Sequence, residues 1–193
     1  MRLAAEDVAR SLKGSWRLLR QESEAIAELD LSRDGFWRSF LAFALMLPAT
    51  IAILAALRLA LGLSNQSGLF SHPELVAAVV TAQVMSVLAI PALLIAIAPH
   101  LARTPRFTGF VIAWNWAGVV SASLMAVPAA VFAIGWSYPQ LAGLQSLAFL
   151  AIVLRLRYGV AKAAFGAHSG LAMPIVTASA LADYAILKLL GLV

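Results

Sequence analysis

Between Leu171 and Val193 the sequence carries one carboxylate, Asp183, in an otherwise long apolar run. An ionised group within hydrocarbon costs about 2.5–3.5 kcal/mol, so it is retained where it is paired or used. Two chemistries fit it: a proton, cation or substrate site, or an ion pair fixing one helix against another. Lys188 and Arg58 are its candidate partners, Arg58 also being able to snorkel outward. Gln83, Ser86, Asn115, Ser121, Ser123, Gln145, Ser146, Thr177 and Ser179 are further polar groups in apolar surroundings. Such groups join helices by hydrogen bonds or, less often, line a watery cavity.

Other chemistry lacks its parts. There is no cysteine, hence no disulfide, thiolate metal site or Cys nucleophile. His72, His100 and His168 are far apart and form no HExxH. Gly166-Ala167-His168-Ser169-Gly170 misplaces the Ser of a GxSxG elbow. No GxGxxG, P-loop or haem-attachment motif occurs. The expectation is a protein that is not an enzyme, with no catalytic residue, metal or cofactor.

The elements that hold these residues are membrane spans. The chain has 193 residues, 62% hydrophobic, with mean hydropathy +0.90. Soluble domains are about 45–50% apolar, and lipid must take the surplus. The sequence predicts an all-α, polytopic transmembrane bundle over residues 36–193. Its five spans are Phe36–Leu61, Pro73–Ala98, Phe107–Ile134, Pro139–Tyr158 and Leu171 to the end. The charged segment 1–35 has no apolar signal-peptide core, so the first span reads as an uncleaved signal anchor.

Residues 1–35 form a cytoplasmic arm. From Leu3 to about Leu29 the pattern is an amphipathic helix with Ala5, Val8, Leu12, Trp16 and Leu19 on one face and Gly14 weakening its middle. Lys13, Trp16, Arg17 and Arg20 are placed to meet anionic lipid head groups at the interface. The same helix could instead dock a protein partner through Val8, Leu12, Trp16 and Leu19. Ser32 or Asp34 should cap the first span and Thr104, before Pro105, the third.

Charge placement sets orientation and removes nucleic acid as a partner of the +5 chain. Arg2, Arg10, Lys13, Arg17, Arg20, Arg33 and Arg38 precede or open span 1. Arg103 and Arg106 lie between spans 2 and 3, and Arg155, Arg157 and Lys162 in the region where span 4 ends and the connector to span 5 begins. The other two loops carry none. The positive-inside rule then puts the N-terminus in the cytoplasm and the C-terminus across the membrane, expected to be a bacterial inner membrane.

Gly118, Ala122, Ala126 and Ala130 make a small-residue ridge on span 3 for contact with another span or another copy. Pro48, Pro91, Pro128 and Pro174 can kink their spans. Phe70-Ser71-His72-Pro73-Glu74-Leu75 and Trp136-Ser137-Tyr138-Pro139-Gln140-Leu141 echo each other as capping boxes with Ser at N-cap, from an internal repeat or from convergence on one good cap.

From Phe36-Trp37-Arg38-Ser39-Phe40 onward, this layout of a cytoplasmic arm and five closely spaced spans resembles the Yip1-like membrane proteins. The resemblance implies a membrane-organising or trafficking-type accessory protein with no catalytic residues. Together these readings predict an accessory or scaffold subunit, bound to a membrane-protein partner or to itself. The alternative is a small oligomeric transporter or channel using Asp183.

Overall fold

The computed structural model describes residues 5–63, 68–166 and 170–193; Arg2, His168 and Ser169 lie outside them. All regular structure among the described residues is helical, in the order α1 (Ala5–Leu19), a 3-10 turn (Ser23–Glu28), α2 (Arg33–Ser39), α3 (Ala42–Leu45), α4 (Leu47–Ala60), α5 (Pro73–Ile97), α6 (Pro99–Ala102), α7 (Pro105–Ala133), α8 (Pro139–Phe165) and α9 (Ala172–Leu189). Five stretches are long and apolar enough to cross a membrane: Arg33–Ala60, Pro73–Ile97, Pro105–Ala133, Pro139–Phe165 and Ala172–Leu189. The chain is an integral membrane protein.

α7 is the axis. It packs on α8, α4 and α5; α9 packs on α5 and α8 without packing closely on α7, while α8 and α4 do not pack closely on each other. That leaves an opening along α7, where Ser123 is exposed and Val127 is 47% exposed. At one end α1 closes the opening. Its start is tied to α2 by Asp7 and Arg38, 2.9 Å apart. Its end rests on α8, where Gln21 donates to the Arg155 carbonyl at 3.1 Å and Arg155 Nε donates to the Leu19 carbonyl at 3.3 Å. We call this the arm end and its opposite the far end.

The buried core follows the ring. Gly109 through Ala117 are all buried, because α1, α2, α3 and α8 surround that part of α7. Phe110 packs on Trp114 and Phe165 at centroid distances of 5.2 and 5.1 Å. Gly118 faces Met46 and Val87, so the small-residue ridge serves contacts within the chain; Ala122 is buried and Ala126 lies partly buried against the same core. Ala130 continues the helix face at half-burial. In contrast, no residue of α8 before Val153 is buried.

The arm departs from the expected single helix. It ends at Leu19, turns at Gln21 (φ 67) and folds back as the 3-10 turn. Arg17 pins the reversal by pairing with Glu22 at 2.5 Å and with Glu28. Gly14 faces the returning 3-10 turn, where a Cβ would rest in contact with the Ala25 carbonyl and the Leu29 side chain, both at 3.4 Å. The buried face of α1 is therefore Ser11, Gly14, Ser15 and Leu18, where small side chains permit close approach. Val8, Leu12 and Leu19 are only partly buried, and Trp16 is 46% exposed.

Ser32 caps α2, its hydroxyl accepting from the Gly35 amide at 3.0 Å, and Thr104 caps α7, accepting from Phe107 at 3.4 Å. The paired capping boxes do not form. α5 and α8 begin at Pro73 and Pro139 after His72 and Tyr138, with no side-chain cap. Ser137 turns instead to the Tyr138 carbonyl and Gln145, and Glu74 to His72. A proline at the first helical position has no amide to satisfy and fixes φ, which suffices to start both helices.

Candidate functional site

The residue with unexplained charge, Asp183, does meet a cation, but not an expected one. Ser86 lies 13 residues into α5, about 20 Å along it. Asp183 lies 11 residues into α9, about 16 Å from its arm end. Arg157 lies eight residues before the end of α8, about 12 Å from it. Because these helices are neighbours, the three side chains converge. Arg157 Nη1 donates to Asp183 Oδ2 at 2.5 Å, and Ser86 Oγ donates to Asp183 Oδ1 at 2.5 Å. Arg157 also approaches Ser86 Oγ at 3.5 Å.

A fourth helix completes the cluster. The Arg157 guanidinium sits over the Trp114 ring of α7, 5.4 Å from its centroid. The Trp114 indole N–H donates to the Val87 carbonyl at 3.1 Å, which holds the ring flat for that contact. Side-chain exposure is 12% for Arg157 and 25% for Asp183. The guanidinium thus has an opposite charge, a hydroxyl and a ring face as partners, and the carboxylate has both oxygens occupied. A cavity of about 10 Å³ adjoins it, lined by Ser86, Val87, Trp114, Gly118, Ser121 and Arg157. That holds about one water molecule.

The expected partners lie elsewhere. Arg58 is buried and donates to the Gly68 carbonyl; Lys188 stands 5.9 Å from the Tyr184 ring. α9 packs on α5 and α8 rather than on α4, and Lys188, five residues beyond Asp183, points from another side of the helix. The remaining candidates form separate contacts. Gln83 donates to Met46 Sδ at 3.3 Å, Gln145 pairs with Ser137, and Asn115 Nδ2 donates to Ser39 Oγ at 2.9 Å. Asn115 Oδ1 is the buried side-chain oxygen without a partner among the described residues.

A span ending at Tyr158 puts Arg157 at the membrane edge among the charges that set orientation; α8 instead runs on to Phe165 and carries Arg157 inside the bundle. The signal was present: Leu156, Val160, Ala161, Ala164 and Phe165 keep helical spacing, and all are buried.

A second polar cluster fixes the arm. Arg38 bonds Asp7 at 2.9 Å and Asp30 at 2.5 Å, and the buried Ser11 and Gly35 adjoin it. Hydrogen bonds from the Ser32 side chain, reinforced by its backbone amide and by the Arg38 guanidinium, outweigh burial and hold the Asp30 carboxyl below its ordinary range. Among the described residues, no group of three or more His, Asp or Glu side chains is placed to hold a metal ion.

The fold and its internal ion pair define a polytopic helical membrane protein. No protein-family model, curated protein or solved structure matches the chain.

Proposed function

We propose that this protein is a non-enzymatic accessory or scaffold subunit that works through helix–helix contacts in the membrane. One observation carries the reading: the far half of α8 is an unpartnered face. Gln140, Gly143, Leu144, Leu147, Ala148 and Ala151 are all exposed and share one side of the helix. A Cβ at Gly143 would meet nothing within 4 Å, and Leu144 and Leu147 are 65% and 64% exposed. Gly143 admits a close helix, and Gln140 offers a hydrogen bond that lipid cannot return. The arm end carries Arg10, Lys13, Arg17, Arg20, Arg103, Arg106, Arg155 and Lys162, which supports a cytoplasmic arm.

The test is purification of the tagged chain in native nanodiscs with mass spectrometry of what accompanies it. A stoichiometric partner or a second copy, lost on Gly143→Ile, is expected. A lone chain, or a complex indifferent to that substitution, contradicts the reading.

A transport role is the second reading, favoured by the small cavity at which Ser86, Ser121 and Arg157 meet beside Asp183. Proton- or cation-driven flux in liposomes, abolished by Asp183→Asn in a folded protein, would replace the scaffold reading.

A further inference from the structure

The sides of α1 differ in a way that its core contacts do not explain. Its buried side is Ser11, Gly14, Ser15 and Leu18. One flank carries Arg10 and Arg17, and Arg17 pairs with Glu22 and with Glu28 of the 3-10 turn. The other flank carries Val8, Leu12, Trp16 and Leu19. Between the flanks, facing away from the core, are Lys13 and Arg20, both exposed.

The order of contacts along α7 says which flank faces the membrane. Leu31, just after the 3-10 turn, lies against Gly109, near the arm end of α7. The end of α1 meets α8 at Arg155, ten residues and about 15 Å from the arm end of α8. The 3-10 turn and the charged flank therefore lie on the outer side of α1. The apolar flank, with the half-exposed Trp16, faces the opening between α4 and α8.

Lys13 and Arg20 thus stand at the rim of that opening. Neither has an ion-pair partner among the described residues, and the nearby carboxylates Glu22 and Glu28 are both taken by Arg17. Arg155, exposed at the end of the lipid-facing side of α8, adds its charge beside Leu19. Below the rim, α7 offers the exposed Val127 and Ser123, whose hydroxyl is already satisfied by the Val119 carbonyl at 2.8 Å. The arrangement is cationic at the interface, aromatic just beneath it and apolar below, the sequence of chemistries along an anionic phospholipid.

We propose that α1 holds an anionic phospholipid at the mouth of the α4–α8 opening, with its phosphate against Lys13 and Arg20 and Trp16 at the glycerol level. The arm is then a lipid-reading element fixed to the bundle, and not a free amphipathic segment.

The experiment is native mass spectrometry of the full chain in detergent, titrated with phosphatidylglycerol or phosphatidylcholine. Phosphatidylglycerol should bind the more tightly. The Lys13→Gln/Arg20→Gln double variant should weaken that binding roughly 30-fold, about fivefold for each charge. Lys13→Arg/Arg20→Lys should keep it, and Arg103→Gln/Arg106→Gln, which removes equal charge from the same end, should leave it within about twofold. Equal binding of both lipids, no loss in the double Gln variant, or the same loss in the Arg103/Arg106 control would each overturn the proposal.

Discussion

The two ends of this bundle are built from the same apolar residues and behave as different materials. At the arm end, α7 is enclosed on every side, and residues Gly109–Ala117 are buried without interruption. At the far end the first half of α8 buries nothing, and Leu144, Leu147 and Leu189 are each more than half exposed. Hydropathy is high in both. The difference is one additional helix: α1 closes the ring at the arm end and is absent from the far end. Burial in a membrane protein is thus decided by neighbours, since lipid accepts an apolar side chain as readily as a protein interior does.

The glycines give the largest contrast between the two ends. A Cβ on Gly159 would stand 2.2 Å from the Leu18 carbonyl, a backbone atom that cannot swing aside. Gly159→Val should cost about 3 kcal/mol and detach the arm, seen as rapid proteolysis between residues 19 and 32. Gly143→Val at the far end, with open space around it, should leave monomer stability within about 0.5 kcal/mol. Equal effects at the two sites would erase the distinction.

The ion pair comes next. Asp183→Asn leaves the Arg157 charge unmatched between three helices and should cost about 3 kcal/mol in a denaturant titration. The double variant Arg157→Leu/Asp183→Leu should recover most of that loss, because a matched apolar pair carries no desolvation penalty. Failure of the double variant to recover would give the charges a role beyond joining α5, α8 and α9.

Smaller effects belong to the arm. Arg38→Gln removes the link between Asp7 and Asp30; with all three side chains about one-quarter to one-third exposed, about 1 kcal/mol is expected. Acid should act in the same direction. Asp30 has a lowered pKa in the folded chain, so its contribution is complete above the ordinary carboxylate range near pH 4 and is lost as the pH falls through the folded value. Arm protection should decline there, less in Asp30→Asn than in the parent. Smallest of all, Leu144→Ala with Leu147→Ala should change monomer stability by no more than about 0.5 kcal/mol, measured by thermal melt in detergent.

The spans were legible because lipid imposes a length and a composition, and four of the five began within about two residues of their expected positions. The caps at Ser32 and Thr104 were legible because each satisfies local amides. What escaped depended on tertiary choices. α1 stops at a left-handed Gln21, with the Glu22 amide donating to the Arg17 carbonyl at 3.1 Å, a stop that no glycine marks in the sequence; the Arg17 pairs with Glu22 and Glu28 then hold the reversal. Gly14 reads as a weak point in a helix until the 3-10 turn packs on it. Asp183 announced a partner, but the partner depended on which helices became neighbours, and Arg157 reads as a membrane-edge charge until α8 runs on to Phe165.

α1 is a fixed wall packed against α7 and α8. Hydrogen exchange of the full chain in nanodiscs tests it directly. Amides of residues 11–18 should be protected on the timescale of the α7 segment 109–117, and Gly159→Val should abolish that protection at α1 while sparing the far half of α7. Exchange of residues 11–18 within seconds in the parent chain, as for a helix of this length without tertiary packing, would contradict the account.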